Sequence, residues 1–399
     1  MAADLDAIVA GHICLDVIPQ STPSTTTAAG WGLEPGALHE IGPAVLAPAG
    51  AVANTGLALD RLGLSVRLLA KVGGDPFGTI VRELLAQRAQ TAVDGMLVDP
   101  SSNTSYSIVF SQPGVDRTLW HCPGANDTFR SGDTVSPWMD SARLFHFGYP
   151  PLMRLMYTSG GSELAEMLKT ARERGCTTSL DMALPDPRSE ASSVDWAAIL
   201  EKALPHTDIF APSLEETLVM LGQDMPTPAP STAGSPDPAM LRTLADRILA
   251  MGARVVLLKL GGAGTYVRTS GYPLVSKMGR ATPSRPDRWA DRELWAPCLE
   301  ADVVGTTGAG DATVAGFLAG LLRGQDLENA LTSAVAVGAC SVEAPDALSG
   351  IRSWDATQAR LAEGWRRVAL DLPRPWVFDD RLGVWRGPGD GRGEGSARA

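Results

Sequence analysis

From Leu144 onward, short apolar runs alternate with amphipathic stretches, and no other feature constrains the fold of this chain as much. The runs are Leu144 to Phe147, Thr177 to Asp181, Ile209 to Ala211 and Val255 to Leu260. Runs this short and continuous fit strands buried on both faces, and the stretches between them have helical spacing. The pattern therefore predicts βα units and a mostly parallel sheet, with helices on both faces. The clearest unit places Leu241, Leu244, Ala245, Ile248 and Leu249 on one helical face, stops at Gly252 and continues into the β-branched run Arg254 to Leu260.

The first third of the chain reads differently. Ala7 to Ala10 and Cys14 to Ile18 are strand-like and separated by Gly11, and Gln20 to Gly36 is a Ser/Thr/Pro/Gly-rich loop. A helix is expected near Asn54 to Leu62. A second begins at Asp75-Pro76, where an N-cap acid precedes proline and Phe77, Ile80, Val81, Leu84 and Leu85 follow on one face. Ser105 to Phe110 and Thr118 to Cys122 read as a hairpin around Pro113-Gly114 that could form a cover. Pro226 to Pro238 and Ser270 to Pro297 read as loops. The last thirteen residues, from Gly387, hold five glycines and read as disordered.

Composition narrows the function. The 399 residues are 44% apolar and 20% charged, with 34 basic and 45 acidic side chains and a net charge of −11. These values describe an ordinary globular chain and exclude whole-chain disorder, collagen and coiled coil. The acidic balance repels nucleic-acid backbones and anionic lipid, so neither nucleic acid nor membrane is expected as a partner, and a small molecule or protein is. Cys14, Cys122, Cys176, Cys298 and Cys340 are odd in number, widely spaced and include no C-x-x-C, so neither a disulfide framework nor a zinc site is suggested, and reduced thiols in a cytoplasmic location are expected. The opening MAADLDAIVAGHICLDV carries acids where a signal peptide needs positive charge. Val303 to Leu322, the most apolar stretch, contains Asp311 and five glycines, which argues against a membrane span. His12, His39, His121, His146 and His206 are scattered without ligand spacing and read as packed or surface residues.

The strongest chemical signal is Asp302-Val-Val-Gly-Thr-Thr-Gly-Ala-Gly-Asp311, which runs into a helix with Val314, Phe317, Leu318, Leu321 and Leu322 on one face. At Gly308, Ala309 and Gly310 little or no side chain blocks the backbone N–H groups, and the helix N-terminus adds partial positive charge, so the turn can cradle a phosphate. Asp311, in the first helical turn, is placed to accept a proton from an attacking hydroxyl. The competing reading makes Asp311 an N-cap and the glycines a tight turn. Walker and dinucleotide-fold motifs are absent.

These residues carry a resemblance. Over residues 5 to 350 the sequence resembles the PfkB/ribokinase-type carbohydrate kinases, whose signatures are similar to Thr306-Thr-Gly-Ala-Gly-Asp311, Ala49-Gly50-Ala-Val-Ala-Asn54, Gly73-Gly-Asp-Pro-Phe-Gly78, Gly124-Ala-Asn126 and Leu260-Gly-Gly-Ala-Gly264. The resemblance implies a three-layer α/β/α sandwich with a mostly parallel sheet plus a small β lid from about residues 14 to 48 and 100 to 125. It places a kinase domain over residues 1 to 375, followed by an extension over 376 to 399, partly disordered, where Trp376 and Trp385 lie. The implied reaction is transfer of the γ-phosphate of ATP to an alcohol group of a sugar or related polyol.

The resemblance also assigns roles. Asp311 would be the base, and the amides of Gly308, Ala309 and Gly310 the anion hole. Asp16, Gly50 and Asn54 would hold the acceptor. Ser213, Gly261, Gly264 and Thr306 would border the nucleotide, and Glu216 would help organise Mg²⁺ through water. Asp16 as a sheet-edge acid, Asn54 as a cap and Glu216 as a surface acid are the competing local readings. Ser213 stands where the family usually has asparagine, and Gly305 where it usually has aspartate, so a role for a monovalent cation is not implied. A nucleoside kinase of the same fold and a non-catalytic sugar- or nucleotide-binding regulator are the rival functions. Homodimerisation through the lid is a family habit, and Trp31 and Trp120 could stack on a sugar face.

Overall fold

The computed structural model describes residues 5–20, 26–27, 30–31, 36, 38–112, 115–223 and 235–391. Its centre is an eleven-stranded sheet. In spatial order this sheet runs Met96–Asp99, Val66–Gly73, Ala7–Gly11, Leu144–Gly148, Thr177–Asp181, Ile209–Phe210, Val255–Lys259, Thr265–Thr269, Glu293–Ala296, Val384–Arg386 and Val377–Asp379. The pairings from Met96–Asp99 through Val255–Lys259 are all parallel, and those beyond are antiparallel.

Alternation across the pleat explains why the parallel strands read as continuous apolar runs. Ala7 and Val9 face one core while Ile8 and Ala10 face the other, and Val255 and Leu257 oppose Val256 and Leu258 in the same way. The first core is covered by helices Ala51–Arg61, Pro76–Ala86, Ala309–Leu322 and Leu327–Val342. The second is covered by Ser162–Glu173, Trp196–Ala203, Leu214–Met220 and Pro238–Ala250. The two layers of helices and the sheet between them make the three-layer sandwich. Asp75 caps the helix at Pro76 as expected, accepting from the Gly78 amide at 2.9 Å.

A second, four-stranded sheet stands off the carboxyl ends of the parallel strands. Its order is Ala44–Ala49, Cys14–Pro19, Tyr106–Gln112, Val115–Cys122, with Cys14–Pro19 antiparallel to the first and parallel to the third. The Pro113-Gly114 turn, most of the Gln20 to Gly36 loop and most of Pro226 to Pro238 lie outside the described residues. Among the described residues no helix is long and apolar enough to cross a membrane.

Two expectations are corrected. Ser270 to Pro297 is not a loop. It contains the short helices Tyr272–Val275 and Pro286–Trp289 and the sheet strand Glu293–Ala296, with Trp289 and Trp295 buried in opposite cores. Its Pro, Gly and Arg content masked a strand because that strand is only four residues long.

Nor does residue 376 begin a separate extension. Val377–Asp379 and Val384–Arg386 lengthen the main sheet, and Trp376 packs edge-on against Trp295. Gly387 to Gly391 is ordered by Arg292, which is fully buried, donates to Glu328 at 2.7 Å and pairs with Asp390. Residues 392–399 lie outside the described residues. Arg292→Met removes the cation and leaves two buried carboxylates uncompensated, so it should cost about 3–5 kcal/mol in urea unfolding, as breaking a buried pair does. A loss under 1 kcal/mol would mean that the C-terminal strands hold without this ion cluster.

Candidate active site

The carboxyl ends of parallel strands, where the chain turns into helices, form the natural crevice of an open α/β sheet. Several sequence-predicted residues meet there. Helix Ala309–Leu322 starts at Gly308, whose φ of 70° is left-handed and whose position would put a Cβ 2.4 Å from the Ala347 Cβ, so only glycine fits. One turn on, Asp311 is 3% exposed and accepts three hydrogen bonds, from Asn54 Nδ2 at 3.0 Å, Thr55 Oγ1 at 3.2 Å and Tyr149 OH at 2.7 Å. An N-cap would bond its own helix, whereas Asp311 draws its donors from two other elements, so the cap reading is excluded. Asn54 likewise spends its amide on Asp311 rather than on capping. Gly50, at φ 91°, begins the helix carrying Asn54 and lies so close to His12 that a Cβ would clash with its carbonyl oxygen.

A cavity of about 820 Å³ opens between these residues and the second sheet, lined by Asp16, Gly50, Asn54, Tyr149, Gly308 and Asp311 among others. Asp16 enters from the lid strand, and burial raises its carboxyl pKa against the pull of hydrogen bonds from Ser107 and Cys14 and the charge of Arg117. Arg117 reaches from the opposite lid strand to hydrogen-bond Thr307 Oγ1, which ties the lid to the glycine-rich turn. Arg117, Leu119 and His121 line the cavity, so strand alternation turns Trp120 to the other face, where it packs edge-on against Phe110. The stacking role read for Trp120 is thereby corrected, and the reading of Trp31 lies outside the described side chains.

Beside the glycine-rich turn lies a second charged group. Lys259 ends its strand and pairs with Asp181, which ends another, at 2.6 Å, and its Nζ is 4.0 Å from Glu216. A Cβ on Gly310 would sit 3.6 Å from Lys259 Nζ, so the ammonium lies against the turn. Burial works against its charge, yet Asp181 and Glu216 hold its pKa above the usual value. Burial pushes the Asp181 carboxyl up to about 7 despite Lys259, and Asp181 Oδ2 is buried with no hydrogen-bond partner. Ser213 and Glu216 form a capping box, Ser213 Oγ accepting from the Glu216 amide at 3.1 Å and Glu216 Oε2 from the Ser213 amide at 2.6 Å. Glu216 is thus a half-buried carboxylate fixed by its cap and not a free surface acid. Gly261 and Gly264 lie in the turn between Val255–Lys259 and Thr265–Thr269, outside the cavity's lining, and Thr306 precedes the signature turn.

Thr55, Tyr149, Asp181, Lys259 and Arg117 were not singled out from the sequence. The strand-end rule points to three of them, because Tyr149 follows a strand and Asp181 and Lys259 close strands. Thr55 and Arg117 carry no comparable signal.

His146 lies beneath the site, fully buried, with Nδ1 against Ser179 Oγ at 3.0 Å and Nε2 unpartnered. Burial, aided by Lys259, lowers its pKa from 6.5 to about 3. Between those values the unfolded chain binds a proton that the native state refuses, so stability is fully present above pH 6.5 and falls as the pH drops. The expected loss from this group is about 1.4 kcal/mol per pH unit. Urea unfolding of wild type and His146→Gln at pH 7 and pH 5 checks this; an equal pH dependence in both would reject it.

A lidded cavity that holds a buried carboxylate beside a glycine-rich helix start, at the carboxyl ends of a parallel sheet, defines a small-molecule phosphotransferase of three-layer α/β build. The chain matches the pfkB family carbohydrate kinase along residues 6–354 and belongs to that family. It is 28% identical over 273 residues to an uncharacterized sugar kinase of Archaeoglobus fulgidus, covering 68% of this chain and 89% of that one. It is 25% identical over 333 residues to the 2-dehydro-3-deoxygluconokinase of Bacillus subtilis, covering 80% and 87%. In three dimensions it shares the ribokinase fold. Arabidopsis thaliana ribokinase, solved with ribose and ATP, superposes with a TM-score of 0.66 at 17% identity, covering 90% of this chain and 99% of that one. The protein is therefore a carbohydrate kinase.

Proposed function

We propose that this kinase transfers the γ-phosphate of ATP to an alcohol group of a sugar or related polyol, with Asp311 as the base. The observation that carries the reading is the single cavity onto which Asp311, Gly308, Asn54 and Asp16 all open. Asp16 and Asn54 offer the acceptor and donor groups that buried hydroxyls require. Asp311, steered by Asn54, Thr55 and Tyr149, takes the proton of the attacking hydroxyl. The developing phosphoryl charge meets the helix N-terminus and the backbone amides of the turn. The Ala309 amide already donates to the Thr306 carbonyl at 3.2 Å, so we assign the cradle to Gly308 and Gly310. Lys259 and Arg117 flank that turn as cations for the phosphate oxygens.

The nucleotide is assigned to the side of Ser213, Gly261, Gly264 and Thr306. The donor set there suits Mg²⁺, a hard cation that takes carboxylate oxygens and keeps water, since Glu216 is fixed and Asp181 presents an unpartnered buried oxygen. Glu216, through water, and Asp181 would hold it. When bound, Mg²⁺ neutralises triphosphate charge. Closure of the lid over the acceptor would exclude water. The apolar outer lid face, with Trp120 about half exposed, supports a homodimer through the lid.

The test is ADP release from ATP and Mg²⁺ across sugars, sugar acids, polyols and nucleosides. Turnover on a sugar or polyol is expected. Turnover confined to nucleosides would overturn the acceptor class. Binding seen as a melting shift without any turnover would replace the kinase reading with that of a regulator.

A further inference from the structure

Three metal-ligating side chains meet on the lid side of the cavity, although the sequence scatters them. One ligand atom from each of His12, Cys14 and His121 lies within 4.8 Å of the other two. The two Nε2 atoms face each other at 3.3 Å, and Cys14 Sγ is 3.6 Å from Asp16 Oδ1. A tetrahedral Zn²⁺, with bonds of about 2.0–2.3 Å, spaces its ligand atoms about 3.3–3.8 Å apart. The two closest pairs already have that spacing, and side-chain rotation closes the wider ones.

The surroundings are those of a supported site. His121 Nδ1 is held at 3.0 Å by Ser107 Oγ, the kind of outer hydrogen bond that fixes the tautomer of a ligating histidine. His12 is 2% exposed, and its Nδ1 has no hydrogen-bond partner. His12 is buried and His121 exposed at the cavity, and desolvation lowers the pKa of both rings, which favours the neutral imidazole a metal takes. Two imidazoles, a thiol and a carboxylate form a borderline-soft donor set that suits Zn²⁺ over Mg²⁺.

We infer that His12, Cys14 and His121, with Asp16 as fourth ligand, bind one Zn²⁺-class ion in the lid. On binding, the S–H bond of Cys14 breaks, a Zn–S bond forms and the proton leaves to solvent. Asp16 is drawn onto the metal, so the ion and the acceptor exclude each other. This regulatory consequence rests on the acceptor site proposed above; the metal site itself does not.

The experiment is a Co²⁺ titration of the full chain, followed by displacement with Zn²⁺. One equivalent should produce a thiolate-to-cobalt charge-transfer band that Zn²⁺ abolishes. Cys14→Ser should remove the band, and His121→Ala should weaken Zn²⁺ binding by more than the roughly 10–100-fold that loss of an outer hydrogen-bond partner costs, while Cys122→Ser keeps both. No band in the wild type, or a band that persists in Cys14→Ser, overturns the site. If either variant fails to fold, the wild-type band and its stoichiometry still decide. In turnover assays Zn²⁺ should raise the acceptor KM and a chelator should restore it. A kinase reading that fails leaves the cobalt result standing, and cobalt binding without inhibition overturns only the regulatory consequence.

Discussion

Asp311→Asn should lower kcat by about 10²–10⁴-fold, the usual worth of a positioned general base, with little change in acceptor KM. The side chain keeps its shape, and its amide oxygen still accepts from Asn54, Thr55 or Tyr149. What is lost is the lone pair that takes the hydroxyl proton. Because Asp311 is buried and bonded to three donors from two other elements, a melting curve must accompany the kinetics. A folded Asp311→Asn protein with kcat within threefold of wild type would remove Asp311 from the role of base.

Lys259→Met should lower kcat by about 10²–10³-fold, the cost of removing one preorganised group aimed at developing charge. The ammonium lies against Gly310 and bonds to Asp181 at 2.6 Å, so its loss also strands a buried carboxylate. That carboxyl, already raised to about 7 by burial, would then stay protonated at neutral pH. The double variant Lys259→Met/Asp181→Asn, read against Asp181→Asn alone because Asp181 is also assigned to Mg²⁺, separates the two effects. Stability should return because no charge is left unpaired, whereas activity should not. A double variant with wild-type kcat would make Lys259 a purely structural partner of Asp181.

The sequence by itself determined the sandwich and the family to which the chain belongs. Apolar runs such as Val255 to Leu258 are legible because a strand buried on both faces has no polar side to show. Asp75-Pro76 and Gly308 are legible because caps and left-handed turns are local steric demands. The family signatures around Asp311, Asn54 and Gly261 are local as well, and so placed the chain among carbohydrate kinases before any contact was known.

What the tertiary structure alone decided is the set of encounters between distant residues. Asn54 and Thr55 meet Asp311 across more than 250 residues, and Lys259 meets Asp181 across 78. His12 meets His121 across 109, which no ligand spacing could announce. Glu293–Ala296 and the C-terminal strands were hidden for a related reason. Short strands with mixed composition at the antiparallel end of the sheet are stabilised by partners such as Arg292 and Trp295 rather than by their own pattern. Local periodicity encodes which face of an element is buried, but pairing between faces is fixed only when the sheet brings strand ends together.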